Sequence, residues 1–274
     1  MKEDTLKHLF EDWETIQTRI QQAQTLFLFL DYDGTLTPIV SRPELALCPA
    51  EIKRHLVNMR DLPNVRLGII SGRSLEDLRK KVGVPGITYV GNHGLEIESP
   101  DGRQKKMLSP VRKRELKRIT QNVQNALKQI PKILFEAKGP ILSVHYRNVS
   151  RKSVARISQA LNEELEKAKG RWKMALGKMV FEIRPDVDFD KGKAVREILK
   201  TVPSPGLLAI YLGDDRTDED AFRVLKGQGV SVLIGPEGFS SEADFFLRNS
   251  DEVQEFLFRC QEARRAVRHE AGFD

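Results

Sequence analysis

The stretch LFLFLDYDGTL, residues 26–36, constrains the fold more than any other segment of the sequence. Its five apolar residues are followed at once by two aspartates and a glycine. A short apolar run bounded by a turn signal predicts a strand of a parallel sheet that is covered on both faces. Asp31 and Asp33 then follow the strand at its carboxyl end, the edge where open α/β sheets bind their ligands. An Asp-Gly turn with two solvated acids remains the alternative for these residues alone.

Three further apolar runs also end in polar turns. VRLGII (65–70) leads into SGR, GITYV (86–90) into GNHG, and LLAIYL (207–212) into GDD. Helical patterns, such as residues 49–60 and 74–82, separate them. Alternating strands and helices predict an α/β fold, a Rossmann-like doubly wound parallel sheet. Because the carboxyl ends of parallel strands share one edge, the polar turns are expected to meet there.

Residues 105–187 interrupt this rhythm with a pattern of their own. A helix precedes two strands around a Lys-Gly-Pro turn at 138–140, and a second helix precedes two strands around Gly177. The order αββαββ predicts an α+β cap domain inserted into the α/β core. The predicted domains are an N-terminal amphipathic helix within 1–24, a first core part at 25–104, the cap at 105–187 and a second core part at 188–274.

Composition narrows the classes of function. Residues 105–187 contain 20 Lys and Arg against 7 Asp and Glu, which predicts a surface that attracts an anionic partner or is simply solvated. No RNP-like aromatic motif or zinc-finger spacing supports nucleic-acid binding. No apolar run is long enough to cross a bilayer. The polar N-terminus does not resemble a secretory signal or a transit peptide. The spacing of the two cysteines fits neither a metal site nor a disulfide framework. We expect a cytoplasmic monomer without nucleic-acid or membrane partners.

The segment GDDRTDED (213–220) concentrates acids directly after a predicted strand. The acids are Asp214, Asp215, Asp218, Glu219 and Asp220. Such carboxylates repel one another unless a cation joins them, and ligands that are oxygen only suit Mg²⁺. The alternative is an acidic helix N-terminus, which the helix dipole favours. That alternative accounts for residues 218–220 but not for the two acids that come first.

Phosphoryl transfer uses all of these groups. A carboxylate can be the nucleophile, and an acid two residues further can protonate the leaving oxygen and then activate water. Mg²⁺ reduces the repulsion between the carboxylate and the phosphate. The hydroxyl of Ser71, nearby N–H groups and a lysine can stabilise the transferring oxygens.

The segments DYDGTL, SGR, DKGKA and GDDRTDED, in this order, resemble the four motifs of the haloacid dehalogenase superfamily of phosphatases. The resemblance covers residues 26 to about 250. It implies that Asp31 is the nucleophile and Asp33 the general acid/base, and that Ser71 and Lys191 bind the phosphoryl group, with Lys193 as a rival for the lysine. It also implies that Mg²⁺ is held by Asp31, the backbone carbonyl of Asp33 and Asp214, with Asp218 supporting it directly or through water.

Segments of the cap narrow the resemblance further. FEAKGPILSVHYR (135–147), VFEIRP (180–185) and GNHGLE (91–96) resemble trehalose-6-phosphate phosphatases. By that resemblance Lys138 and Glu182 contact sugar hydroxyls, with His145 or Arg147 assisting, as a lid that excludes water would. Pro140 departs from the family pattern, where a smaller residue is expected after the Lys-Gly turn.

Three residues of the core are further candidates for substrate binding. Gly34 lets the backbone approach bound oxygens. His93 lies in a Gly-flanked loop at a strand end, and its alternative role is to shape that loop. The alternative role of His145 is to pack against a helix. Arg73 either contacts phosphate or pairs with an acid of the core, and the second role is favoured.

The resemblance therefore implies a Mg²⁺-dependent phosphatase that hydrolyses trehalose 6-phosphate in trehalose biosynthesis and works through an aspartyl-phosphate. Phosphatases of sucrose-, glucosylglycerol- or mannosylglycerate-type phosphates are the nearest alternatives, and a phosphomutase would share the covalent intermediate. A non-catalytic sugar-phosphate-binding regulator is the alternative of another class, but it would be expected to lack Asp31, Asp33 or Lys191. A trehalose-phosphate synthase is a candidate protein partner.

Overall fold

The computed structural model describes residues 6–40, 42–177, 179–203 and 205–270, apart from the side chains of Pro43, Lys138 and residues 268–270. Contacts divide the described chain into two compact units. The first unit comprises the residues up to Lys105 together with those from Phe189 onward, and the second comprises Lys106–Asp188. The two units are described separately below.

The first unit is built on a sheet in which nine strands are described. Strands are numbered along the chain, so the numbers 7 to 10 belong to the second unit. The strands of the first unit are β1 Lys7–His8, β2 Thr25–Asp31, β3 Val65–Ile70, β4 Thr88–Gly91, β5 Glu96–Glu98, β6 Gln104–Lys106, β11 Leu207–Gly213, β12 Val230–Ile234 and β13 Phe245–Leu247. Their order is β1-β13-β12-β11-β2-β3-β4-β5-β6. Strands β1 to β4 and β11 to β13 pair in parallel, and β5 pairs antiparallel with β4. The α/β prediction is confirmed.

Helices connect these strands. They are α1 Trp13–Gln22, α2 Ala50–Arg60, α3 Leu75–Val82, α6 Lys191–Leu199, α7 Glu219–Leu225 and α8 Ser250–Glu270, with 3₁₀ turns at Leu9–Asp12, Pro43–Leu45 and Asn92–Gly94. Ser74 caps α3 by accepting a hydrogen bond from the Asp77 N–H, and Asp190 caps α6 by accepting one from the Lys193 N–H. Among the described residues, no helix is both long and apolar enough to span a membrane.

The central strand β2 is covered on both faces, which explains its continuous apolar run. Leu26, Leu28 and Leu30 belong to the main hydrophobic core. On the opposite face, the rings of Phe27 and Phe29 stack with their centroids 4.1 Å apart. Because both faces of this strand are buried along its length, its residues are apolar there. Its first acidic residue comes only where the strand ends.

The second unit has the predicted order αββαββ. Its elements are α4 Pro110–Leu127, β7 Leu134–Lys138, β8 Ile141–His145, α5 Arg151–Lys167, β9 Trp172–Gly177 and β10 Val180–Pro185. The strands form an antiparallel sheet in the order β7-β8-β10-β9. Leu142, Val144 and Ile183 share a hydrophobic core with residues of both helices. Strand alternation therefore leaves the opposite face of this sheet to the residues between them.

The extent predicted for the N-terminal helix is wrong. Residues 1–5 lie outside the described part, Lys7–His8 form a strand parallel to Phe245–Phe246, and α1 begins only at Trp13. The edge of the sheet offers backbone partners that override the helical spacing of the apolar residues. The His8 imidazole also lies 2.7 Å from the Glu252 carboxylate, which holds this strand against α8.

We expect Leu28→Ala to lower the free energy of unfolding by about 2–5 kcal/mol, because it leaves a cavity in the middle of the sheet. The exposed control Ile39→Ala, whose side chain is 82% exposed, should change stability by less than about 0.5 kcal/mol. Urea unfolding is followed by fluorescence in a Trp172→Phe background, where Trp13 alone reports on the first unit. Equal losses in the two variants would contradict the assignment of β2 to the core.

Candidate active site

Acids from two neighbouring strands meet at the carboxyl edge of the sheet. Strand β2 ends with Asp31, and β11, which pairs with β2 in parallel, ends just before Asp214. Together with Asp218, they offer carboxylate oxygens that all lie within 4.8 Å of one another. The parallel register thus joins residues that are far apart in the sequence, as the polar strand ends predicted.

Lys191 provides a positive charge inside this group of acids. Its side chain is only 2% exposed, and its Nζ donates to Asp31 Oδ1 at 2.7 Å and to Asp218 Oδ1 at 2.8 Å. Burial by itself lowers the pKa of Lys191, but the two carboxylates outweigh burial and raise the pKa above its usual value. The lysine therefore stays charged. Its rival Lys193 has its Nζ 3.5 Å from Asp190.

Asp218 is fully buried and holds this arrangement together. Besides Lys191, its Oδ1 accepts a hydrogen bond from the Tyr211 hydroxyl at 2.5 Å, and its Oδ2 accepts one from the Asp215 N–H at 3.1 Å. Both oxygens are thus engaged by the protein. Tyr211 was not predicted, although a tyrosine inside an apolar strand is a signal, because a buried hydroxyl needs a partner.

The charge balance of the group suits a divalent cation. Burial raises the pKa of Asp31 well above its usual value, against the effect of Lys191. Burial together with the charges of Asp218 and Asp215 raises the pKa of Asp214 to about 7. One ammonium cannot neutralise this many carboxylates, and all the donors are hard oxygens. The residues therefore fit Mg²⁺.

Gly34 makes room for this group. Its φ is +89°, and a Cβ at this position would lie 1.9 Å from Asp214 Oδ2. Only glycine fits where the backbone after β2 passes so close to the carboxylate. Its contribution in this structure is close approach to an acid, so the predicted contact of Gly34 with substrate stays a prediction.

Asp33 has surroundings quite different from those of Asp31. The Arg73 guanidinium donates to both of its oxygens, Nε to Oδ2 at 2.7 Å and Nη2 to Oδ1 at 2.6 Å. Nη1 of Arg73 donates to Asp77 Oδ2 at 2.8 Å, and the guanidinium lies 5.4 Å from the centre of the Tyr32 ring. Arg73 thus pairs with acids of the first unit. Asp77 was not predicted, because no motif distinguishes it from other helix acids.

Ser71 and His93 lie together beside this arginine. The buried Ser71 accepts a hydrogen bond from the Arg73 N–H through its Oγ and one from the His93 N–H through its carbonyl. The His93 ring lies against Gly72, where a Cβ would come within 2.5 Å of its Cε1. His93 and Asn92 both have left-handed backbones, with φ of 55° and 52°. Asn and His are among the residues other than glycine that adopt this conformation most readily.

The remaining acids of the 213–220 loop do not join the group. Glu219 accepts hydrogen bonds from Ser241 and the Glu242 N–H, and Asp220 pairs with Arg223 at 2.7 Å. Glu219 and Asp220 lie in the first turn of α7. For these two residues, the acidic helix N-terminus was the better prediction.

The second unit gathers the predicted cap residues on the face of its sheet that does not pack against the helices. In register, Glu182 is paired with Ser143, and Ser143 with Glu136. His145 Nε2 lies 3.1 Å from Glu136 Oε2, and Arg184 Nε donates to Glu182 Oε2 at 2.9 Å. The side chain of Lys138 lies outside the described part, and Arg147 is exposed. Glu136 was not predicted, although strand alternation and its register with Ser143 place it on this face.

Titration of Asp214 gives a prediction that needs no metal. Because its pKa is raised in the folded protein, the folded state holds the proton more tightly, so stability falls as pH rises from about 4 to about 7. In EDTA, we expect wild type to lose up to about 4 kcal/mol over this range relative to Asp214→Asn. Urea unfolding at each pH measures this. Parallel pH curves for wild type, Asp214→Asn and the exposed control Asp61→Asn would contradict it.

Comparisons with known proteins agree with this geometry. The sequence matches the trehalose-phosphatase family over residues 29–251. It is 33% identical over 258 residues to trehalose-phosphate phosphatase B of Arabidopsis thaliana, covering 89% of this chain and 68% of that protein. It is 36% identical over 244 residues to trehalose-phosphate phosphatase of Mycobacterium bovis, covering 85% of this chain and 60% of that protein.

Among solved structures, trehalose-6-phosphate phosphatase of Aspergillus fumigatus superposes with a TM-score of 0.69 at 26% sequence identity, covering 94% of this chain and 99% of that one. A haloacid dehalogenase-like hydrolase from Bacteroides thetaiotaomicron shares the fold at a TM-score of 0.55. The resemblance seen in the motifs is therefore confirmed. The chain belongs to the trehalose-phosphatase family and is a phosphatase with a haloacid dehalogenase-like fold.

Proposed function

We propose that this protein hydrolyses trehalose 6-phosphate to trehalose and phosphate through an aspartyl-phosphate on Asp31, with Mg²⁺ as cofactor. The observation that carries the proposal is the pair of aspartates at the end of β2. Asp31 is buried and bonded to Lys191, whereas Asp33 is partly exposed and bonded to Arg73. Two carboxyl groups of the same chemistry are thus prepared for two different tasks. The names of the relatives supply the substrate.

In the first step, an oxygen of Asp31 attacks phosphorus and the bond from phosphorus to the sugar oxygen breaks. Asp33 gives its proton to that sugar oxygen, and trehalose leaves. In the second step, Asp33 takes a proton from water, the water oxygen attacks phosphorus, and Asp31 is released with free phosphate. Lys191 and Ser71 stabilise the phosphoryl oxygens in both steps.

Asp33 has to leave part of its contact with Arg73 in order to donate a proton. Arg73 still has interaction partners when this happens, because it keeps its hydrogen bond to Asp77 and its contact with the face of the Tyr32 ring. Arg73 is thus a positioning residue that holds the general acid at rest. The side chain of Asp33 is 44% exposed, so solvent can supply its proton.

The group that would hold Mg²⁺ consists of Asp31, Asp214 and the backbone carbonyl of Asp33. Asp218 contributes by fixing Lys191, since its own oxygens are engaged by Tyr211 and the Asp215 N–H. When bound, the cation supplies charge neutralisation between the carboxylates and the substrate phosphate.

The sugar is recognised by the polar face of the cap sheet. Glu136, His145 and Glu182 present acceptors and donors side by side, a pattern that suits the many hydroxyls of a disaccharide. Other disaccharide phosphates would use similar groups, which keeps the sucrose-type and glucosylglycerol-type substrates as competing possibilities. The non-catalytic regulator is less favoured because Asp31, Asp33 and Lys191 are all retained.

The test is phosphate release from trehalose 6-phosphate, sucrose 6-phosphate, glucose 6-phosphate and glucosylglycerol phosphate, with Mg²⁺ and with EDTA. We expect metal-dependent release with a strong preference for trehalose 6-phosphate. Asp31→Asn should lower kcat at least about a thousandfold, because the nucleophile is lost. The exposed control Asp61→Asn should retain wild-type activity.

Each other outcome has a distinct meaning. A preference for another sugar phosphate would overturn the substrate but keep the chemistry. Substantial turnover by a folded Asp31→Asn variant would remove Asp31 as nucleophile. No release from any member of the panel would favour the regulator.

Replacement of Glu182 separates sugar recognition from chemistry. We expect Glu182→Ala to lower kcat/KM for trehalose 6-phosphate by about 10- to 100-fold, since a charged partner of the sugar hydroxyls is lost. Hydrolysis of p-nitrophenyl phosphate should change by less than about threefold, because this substrate has no sugar. Glu163→Ala, an exposed glutamate on α5, is the matched control. Equal losses on the two substrates would mean that Glu182 does not contact the sugar.

A further inference from the structure

A cavity lies at the edge of the sheet opposite the acids. It has a volume of about 750 Å³ and is lined by the amino-terminal ends of β2, β3 and β4, the turn between β5 and β6, and the end of α6. All of these segments belong to the first unit. This volume is within the usual range of sites for small organic molecules.

The cavity is lined mainly by positive charge. The basic residues of its wall are Arg60, Arg66, Arg103, Lys105 and Lys200, and the acidic ones are Asp101 and Glu197. Lys105 and Lys200 share Glu197, at 3.0 and 2.5 Å. Arg60 and Arg103 pair with the adjacent Asp61 and nearby Asp101. The wall therefore carries more positive charge than its own acids neutralise.

Arg66 is the basic residue of the wall for which the described residues show no acidic partner. It is the second residue of β3, and its side chain is exposed between two buried neighbours. Its neighbour in register is Phe27 of β2, also a lining residue. Among the described residues, no carboxylate forms an ion pair with Arg66. Its exposed guanidinium has the planar geometry that binds phosphate oxygens.

The wall also has an apolar part. Phe27, Ile97 and Ile198, which are 2%, 6% and 7% exposed, line the same cavity as the basic residues, and Thr25, Thr88 and Ser99 also line it. A purely inorganic anion would leave this apolar wall unused. The combination suits a ligand with a ring or other apolar body joined to a phosphate.

We propose that this cavity binds a small organic phosphate, with Arg66 contacting the phosphate and Phe27, Ile97 and Ile198 packing against its body. The site is separate from the catalytic edge. The strand β2 runs from Thr25 at the cavity to Asp31 at the acids, a span of about 20 Å at roughly 3.3 Å per residue. A ligand here does not touch the substrate. Helix α6 lines the cavity with its last turn and carries Lys191 at its first residue.

The probe is adenosine 5′-diphosphate, titrated calorimetrically into the full-length protein in EDTA, so that no metal bridges it to the catalytic acids. Inorganic pyrophosphate and adenosine represent its charged and ring-containing halves. We expect measurable binding of adenosine 5′-diphosphate, weaker binding of pyrophosphate and no binding of adenosine. Arg66→Gln should weaken binding at least about tenfold. Arg54→Gln, an exposed arginine of α2 outside the cavity wall, should not change it.

Phosphatase activity without the nucleotide is the folding control, because Arg66 takes no part in the catalytic site and Arg66→Gln should retain it. Equal affinity of wild type and Arg66→Gln would locate the nucleotide elsewhere and overturn the proposal. If pyrophosphate bound as tightly as adenosine 5′-diphosphate, the proposal that the cavity also binds the organic body of the ligand would be overturned. If adenosine 5′-diphosphate did not bind at millimolar concentration, the proposed site would be overturned. None of these results depends on the sugar phosphate that the enzyme hydrolyses.

Discussion

The buried contact of Lys191 with Asp31 and Asp218 is the interaction on which the catalytic edge depends. Taking charges out of water is costly, and a buried carboxylate without a partner would be protonated and lose its nucleophilic form. The ammonium opposes the rise in the pKa of both acids that burial causes, and Tyr211 fixes Asp218 in turn. One lysine among several acids still leaves the site short of positive charge. That shortage prepares it for a divalent cation rather than for a simple ion pair.

The parallel sheet makes this contact possible. Its central strands β2 and β11 deliver Asp31 and Asp214 to the same edge, and α6 begins there with Lys191 as its first residue. Gly192 follows the lysine, and a Cβ at this position would lie 2.2 Å from the backbone oxygen of Asp220. The close packing of α6 against α7 therefore requires a glycine. A larger residue here would push Lys191 away from Asp31 and Asp218.

Much of this arrangement is visible in the sequence because it is local or periodic. Apolar runs that end in polar turns predicted β2, β3, β4 and β11, and the αββαββ order predicted the cap elements. Contacts that join distant residues carry no such signal. The pairing of Lys7–His8 with β13 depends on an edge that no local pattern describes, and the Arg73 contact with Asp33 spans 40 residues. Tyr211 could have been singled out by its hydroxyl, but its partner could not.

The roles proposed for Asp31 and Asp33 differ although the two side chains are chemically identical. Tyr32 between them is fully buried and donates its hydroxyl to the Ala46 carbonyl, which fixes the chain at the strand exit. On one side Asp31 faces an ammonium that cannot move away, since Lys191 is held by Asp218 as well. On the other side Asp33 faces an arginine that has other partners and can release it. A nucleophile needs a fixed position, whereas a general acid and base has to move between its resting contact and the leaving oxygen. In the proposed mechanism, the difference in roles therefore follows from burial, because the side chain of Asp31 is 6% exposed and that of Asp33 is 44% exposed.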